Sequence, residues 1–258
     1  MSLTRLALRF AAPLPRIEEF KRCLFIGPHP DDIEIGAGAT AAKLAAAGKE
    51  LCFLICTDGR FGDAHLTPGQ SAEELIALRQ EEARRSAALL GVSDVRFLNL
   101  SDGGLYGIEE LRRGMAGVIG DFEPDIIFAP DPRVTSECHA DHLNGGESAM
   151  RLAYFAPYAG IMAGCGAKSA PVKALALYMT AKPNQYVKTT GYLDRQLAAV
   201  FSCHKSQFPD GCAEAKAISL YLKLRSADHG LRSLKGAAEG FRVLGVTQMH
   251  CLPEAGEV

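Results

Sequence analysis

Two short segments of this 258-residue chain carry side chains that could do chemistry. One is Gly27-Pro-His-Pro-Asp-Asp-Ile-Glu34; the other is His139-Ala-Asp-His142. His29 and Asp32 stand three apart, as do His139 and His142, a spacing that lets paired side chains face the same way on one turn. His29, Asp32 and His142 together supply two imidazoles and one carboxylate. That set suits a catalytic zinc ion, Zn2+, with one position open for water. Asp31 lies beside Asp32 but points elsewhere, free to take a proton from that water, whose pKa zinc lowers to about 7. His139 is left as a cation or a hydrogen-bond donor to a developing oxyanion, and Asp141 as a residue that could orient a histidine from behind. Each segment alone has a plainer reading. A lone histidine is commonly an ordinary surface or core residue, and Asp-Asp after proline is often turn chemistry with a helix cap.

The segments gain weight from the elements that must position them. Strands are predicted over 23–27, 51–57, 95–100 and 125–129, each followed by a helical stretch: 37–47, 71–90, 108–121 and about 141–155. This β-α-β-α rhythm implies an α/β fold, a three-layer Rossmann-like arrangement with a mainly parallel sheet. In an open parallel sheet the loops at the carboxyl ends of strands converge, and ligands bind there. The first segment follows the first strand and the second follows the fourth, so both reach one edge. Beyond Pro157 the rhythm loosens. Gly160, Gly164 and Gly166 read as a mobile loop. Strands over 174–179 and 185–188 follow, then helices over 193–203 and 213–225. With no long linker, the expectation is one domain, with 1–20 as an extension and about 157–258 completing the substrate site.

Composition excludes several classes. With 28 basic and 30 acidic residues the net charge is −2, which offers no electrostatic footprint for nucleic acid or an anionic membrane. No apolar run reaches the roughly 18 residues of a membrane helix. Arg5, Arg9 and Pro13 interrupt the first twenty positions, so no secretory signal and a cytoplasmic location are expected. The eight cysteines contain no C-x-x-C pair and read as reduced thiols, several of them buried.

Rival readings exist. Gly36-Ala-Gly38-Ala-Thr-Ala41 fits G-x-G-x-x-A, with Asp58 about 20 residues on as a ribose-binding acid. Those glycines do not follow the strand directly, and dinucleotide binding leaves His139 and His142 without a task. The plainer alternative is close packing of helix on sheet. A two-histidine, one-carboxylate set also suits non-haem iron oxygenases, although the adjacent carboxylate Asp31 favours hydrolysis. A non-enzymatic sugar-binding module would need no such base beside a metal.

The segments Pro28-His-Pro-Asp-Asp-Ile-Glu34 and His139-Ala-Asp-His142 together resemble the LmbE-like N-acetylglucosaminyl deacetylase family. The resemblance runs from about Leu24 to Leu252. It includes Thr57-Asp-Gly59, Leu78-Arg-Gln-Glu-Glu82, Leu90-Gly91, Phe128-Ala-Pro-Asp-Pro132, His204-Lys-Ser-Gln-Phe208 and Glu239-Gly-Phe241. Lys182-Pro-Asn184 and the His204 segment look most like the diacetylchitobiose deacetylase branch. The resemblance implies removal of acetyl from an N-acetylglucosamine moiety, with one zinc per chain held by His29, Asp32 and His142. It implies Asp31 as general base and His139 in the oxyanion role. It also implies Arg79, Asp102 and His250 at the substrate, and a homo-oligomer with sites near subunit contacts. Arg133 departs from an aromatic residue frequent in close relatives. The chain has no Trp, so sugar stacking falls to Tyr or Phe.

Overall fold

The structure, a computed structural model, describes residues 7–8, 10–65, 69–250 and 252. Its seven strands are β1 (Arg22–Gly27), β2 (Glu50–Thr57), β3 (Asp94–Leu100), β4 (Ile126–Pro130), β5 (Ala174–Tyr178), β6 (Gln185–Lys188) and β7 (Ala238–Gly245). They form one sheet in the order β3-β2-β1-β4-β5-β7-β6. β1 to β5 run parallel; β7 is antiparallel to both β5 and β6. β1 is buried from Cys23 to Gly27 and β4 along its whole length, as continuous apolar runs require when helices cover both faces. Phe25 ties the centre of the sheet together: it pairs in register with Phe53 and Phe128, and its ring stacks on Phe128 at 4.1 Å.

The helices are α1 (Asp32–Ala46), α2 (Ala72–Leu90), α3 (Ile108–Phe122), α4 (Ala140–Phe155), α5 (Ala159–Gly164), α6 (Leu193–Ala198), α7 (Ala213–Ser233) and α8 (Val246–Met249). Local chemistry sets several ends. Ser71 and Glu74 form a capping box at the start of α2, and Gly91 ends it in the left-handed region at φ +87°. Among the described residues no helix is long and apolar enough to cross a membrane. The seven described cysteines are free, with Cys23, Cys52 and Cys56 buried; Cys251 lies outside the described residues.

Two expectations need correction, and one strand was not expected. The small-residue stretch read as a mobile loop contains α5, because Met162 is buried and anchors a short helical turn. α7 runs two turns past Arg225, since Leu222, Ser226, His229 and Gly230 keep one face buried to its end. β7 carried no strand signal: two of its eight residues are glycines and only Val243 is β-branched.

Gly36 and Gly38 have a packing role. A Cβ on Gly36 would stand 2.2 Å from the ring of Tyr178, which is fully buried and donates to Ile26 O at 2.8 Å. The dinucleotide reading is therefore not supported: the glycines lie inside α1 and that face is filled. Gly36→Ala should lower stability by about 1–3 kcal/mol, the usual cost of overpacking. Gly117→Ala on α3, where an added Cβ meets nothing within 4 Å, should instead raise it by up to about 1 kcal/mol through helix propensity. Thermal melting of the two variants checks the opposite signs.

Candidate metal centre and active site

The loop after β1 and the start of α4 meet at the carboxyl edge of the sheet because β1 and β4 are parallel neighbours. His29 Nδ1 lies 3.0 Å from Asp32 Oδ2, and His142 Nε2 lies 3.3 Å from Asp32 Oδ1. One ligand atom from each of the three comes within 4.8 Å of the others. Asp32 Oδ2 also accepts from His29 N at 2.8 Å, locking the turn between the two. Burial disfavours the carboxylate form, but His142 and His29 overcome it and hold Asp32 well below the ordinary range. Burial likewise opposes charge on His29 and His142. The carboxylates around them nevertheless push His29 up to about 10 and His142 up to about 9.

The outward nitrogens test whether a metal fits. His29 Nε2 bonds Asp141 Oδ2 at 2.9 Å, and His142 Nδ1 bonds Glu137 Oε2 at 2.9 Å. Each candidate ligand imidazole thus turns one nitrogen to Asp32 and the other to a carboxylate, the arrangement metal-binding histidines favour. Asp141 is fixed in turn by Gly103 N and Gly104 N, both at 2.7 Å. Those glycines have φ of +76° and +75°, a left-handed pair that only glycine adopts without strain. Asp141 is held down to about 2: its burial raises it, and the His29 and glycine hydrogen bonds more than compensate. A second cluster, His29, His139 and Asp141, also comes close enough to share an ion. It is the poorer metal set, because both Asp141 oxygens are already engaged and His139 Nδ1 accepts from Asp141 N at 3.3 Å.

Asp31 occupies the N-cap position of α1 yet makes no side-chain capping bond, so the turn-and-cap alternative does not account for its carboxylate. Its φ of +125° is unusual for a residue with a side chain, a strain of about 1–3 kcal/mol of the kind that gathers at functional sites. Burial raises the carboxyl, Arg79 lowers it and Asp32 raises it again, leaving Asp31 at about 6. His139 is the N-cap of α4 and nearly half exposed. Because its Nδ1 accepts from Asp141 N, the neutral ring carries its proton on Nε2. Burial and the neighbouring His29 and His142 lower its pKa, which favours that neutral donor.

The three residues expected at the substrate are placed differently. Arg79 is 3% exposed; it donates to Gly59 O and Pro30 O at 3.0 Å each, and Nη2 stands 3.5 Å from Asp31 Oδ2. It lies buried beside the Asp31 carboxylate rather than on an open wall. Asp102 is also buried and accepts from Phe61 N at 3.1 and 3.2 Å, anchoring the loop after β2. His250 sits against Tyr154, with ring centroids 5.4 Å apart. Tyr154 is at the far end of α4 from His139 and His142, so the chain does not bring His250 to its own site.

One site residue carries no signal in the sequence, and segments that carry the resemblance turn out to be supports. Glu137 is a lone acid in the loop before α4, and only its contacts with His142 and His139 set it apart. His204 is fully buried with Nε2 3.2 Å from Glu34 Oε1, while Ser206 gives its N and Oγ to Glu82 at 2.9 and 2.5 Å. Gln207 donates to Gly62 O at 2.8 Å. The His204 segment therefore staples α1, α2 and the loop after β2 together. α1 breaks its helical geometry at Ala37. Gln196 donates to Glu34 O and Ile35 O before the break, and Glu239 accepts from Ala39 N and Thr40 N after it. A small cavity lined by Gln196, Arg225, Ser226, His229 and Glu239 includes none of the candidate ligand residues.

An open, mostly parallel sheet bearing a two-histidine, one-carboxylate set and an unspent carboxylate at its carboxyl edge is the architecture of a metal-dependent hydrolase. Residues 24–153 match the family described as PIG-L: GlcNAc-PI de-N-acetylase. Diacetylchitobiose deacetylase of Thermococcus kodakarensis is 34% identical over 243 residues, covering 92% of this chain and 88% of that protein. 1D-myo-inositol 2-acetamido-2-deoxy-alpha-D-glucopyranoside deacetylase of Kineococcus radiotolerans is 39% identical over 130 residues, 47% of this chain and 35% of that protein. The solved structure of N,N'-diacetylchitobiose deacetylase from Pyrococcus horikoshii superposes with a TM-score of 0.87 at 30% identity, over 100% of this chain and 98% of that one. The chain belongs to the PIG-L, or LmbE-like, de-N-acetylase family. These relatives are deacetylases, and neither an oxygenase nor a dinucleotide-binding reading finds support among them.

Proposed function

We propose that this protein is a zinc-dependent hydrolase that removes the acetyl group from an N-acetylglucosamine-containing substrate, leaving a free amine and acetate. The observation that carries the reading is the convergence of His29, Asp32 and His142 beside Asp31, a buried carboxylate spent on neither capping nor ligation. Similarity to deacetylases along most of the chain supports the substrate class. When bound, zinc supplies Lewis acidity toward a water and the acetyl oxygen. Asp31 takes the proton of the attacking water and delivers it to the nitrogen as the C–N bond breaks. His139 offers Nε2–H to the oxygen that gains negative charge. Asp141 holds His29, and Arg79 holds the Asp31 turn. The residues of the C-terminal part, Gln196, His204, Gln207 and Glu239, complete the support of α1 and the loop after β2.

We also read the protein as a cytoplasmic homo-oligomer. Exposed Leu220, Tyr221, Leu224 and Leu231 on α7, with Tyr158 at the N-cap of α5 and Ile161 within it, support subunit contacts. In an oligomer, His250 can serve a neighbouring site. The test of the function is a free-amine release assay of zinc-loaded protein on a panel of N-acetylglucosamine compounds. Release of acetate and amine in equal amounts is expected; absence of both across the panel overturns the reading.

His139→Ala should retain zinc and lower kcat about 10²–10³-fold, the usual loss for one oxyanion donor. The donor acts in the transition state, so kcat and kcat/KM should fall together with KM little changed. Zinc content and both kinetic constants decide the role. Loss of zinc makes His139 a ligand, and a raised KM at normal kcat makes it a substrate-binding residue.

A further inference from the structure

We infer that Glu137 is a positioning residue of the metal centre. One of its carboxylate oxygens selects the nitrogen that His142 presents to the metal, and the other fixes the backbone of His139. The inference rests on the reading of His29, Asp32 and His142 as metal ligands.

Glu137 Oε2 stands 2.9 Å from His142 Nδ1, while Glu137 Oε1 accepts from His139 N at 2.8 Å. The backbone of Glu137 is itself held, since its N donates to Val134 O at 3.0 Å. Arg133, the cation closest in sequence, reaches instead to Glu147 at 3.4 Å. One carboxylate therefore ties a candidate metal ligand to the candidate oxyanion donor before α4 begins.

The chemistry of imidazole gives this contact its consequence. A neutral ring carries one proton, and the nitrogen without it is the one that can bind a metal. Once the ring gives up a proton to bind a metal, a carboxylate at Nδ1 holds the remaining proton there and leaves the Nε2 lone pair for the ion, on the side of Asp32 Oδ1, 3.3 Å away. Without Glu137 no acceptor holds the remaining proton on Nδ1, and the metal-presenting form of the ring loses its hydrogen bond. Asp141 does the same for the other imidazole, with its side chain wholly buried. The Glu137 side chain is one-quarter exposed. Loss of such partners commonly weakens metal binding 10–100-fold.

The test titrates Zn2+ into the full-length protein, stripped of metal, in competition with a chromophoric chelator. Glu137→Ala should bind zinc about 10–100-fold more weakly than the parent. Glu137→Gln should fall between them, because its amide oxygen can still accept from Nδ1–H but lacks the charge. In the zinc-loaded parent, ¹⁵N-edited spectra of the histidine rings should show a protected proton on His142 Nδ1, absent in Glu137→Ala. A merely structural role would lower the melting temperature of both metal-free variants while leaving zinc affinity and that resonance unchanged. Parental zinc affinity in Glu137→Ala overturns the inference, as does equal weakening of both variants with equally lowered melting temperatures. A parent that takes up no zinc fails the metal reading itself, a result distinct from either.

Discussion

Asp31→Asn should keep its zinc and lose about 10²–10⁴ in kcat, the range a positioned general base contributes. The amide preserves the size of the side chain and removes the proton acceptor. Metal retention is expected because Asp31 is outside the ligand set and turns toward Arg79, 3.5 Å away, rather than toward His142. The pH profile carries a second signature. A base works only when deprotonated, so the rate of the parent should rise with pH through the Asp31 pKa, which burial and Asp32 bring to about 6 against the pull of Arg79. A bound dication pulls it further down, so the acid limb should lie at or below pH 6. That limb should flatten in the residual activity of Asp31→Asn, although coupling to ionisation of a metal-bound group spreads it. A variant within a few-fold of the parental rate removes Asp31 from the mechanism. The strained φ of +125° sharpens the choice of Asn as the test: Asn tolerates positive φ better than most residues, so lost activity reports chemistry rather than a collapsed turn.

His142→Ala should abolish both zinc binding and turnover. Removing one of three protein ligands leaves His29 and Asp32, too few for a tight catalytic zinc site. The fold should survive, because His142 contributes a hydrogen bond at the sheet edge and no part of the apolar core. Metal analysis after dialysis and circular dichroism on the same sample separate loss of metal from loss of structure. Zinc binding as tight as the parent's would reassign the ligands. Proton release gives an independent readout. His29 at about 10 and His142 at about 9 are protonated near neutral pH without a metal. Zinc must displace those protons, so its affinity in the parent should fall as pH falls. The variant should release fewer protons for whatever zinc it takes up. Together with His139→Ala, which is expected to keep zinc, these variants would divide the three histidines and Asp31 into holders of the metal and movers of protons.

The helix–strand alternation and the parallel sheet were legible because each depends on residues close in sequence. β1, β2, β4 and β5 announce themselves as apolar runs, and α2 by its Ser71 capping box and Gly91 stop. The antiparallel insertion of β7 between β5 and β6 was not legible. Its pairing is set by partners some 50 or more residues away, and its glycines carry no strand preference. The Gly36-x-Gly38 pattern was legible as packing or as phosphate binding. The ring of Tyr178 against Gly36 separated the two, and the sequence places those residues far apart.

Residue order sets the inventory of these side chains and the sheet edge at which they meet. It supplies His29, Asp31, Asp32, His139, Asp141 and His142, the three-residue spacings of His29–Asp32 and His139–His142, and two loops at the same edge of one parallel sheet. These follow from backbone periodicity and strand direction, which are local properties. How each group is spent follows from contacts made only in the folded chain. Folding left Asp31 uncapped and strained, and gave Asp141 both to His29 and to the Gly103–Gly104 turn. It buried Arg79 beside Asp31, set Glu137 behind His142, and placed His250 beside Tyr154. The physical reason is that a carboxylate or an imidazole is chemically the same residue in every sequence. Burial and the partner at hydrogen-bond distance set its protonation and its role, and both are supplied by segments remote along the chain.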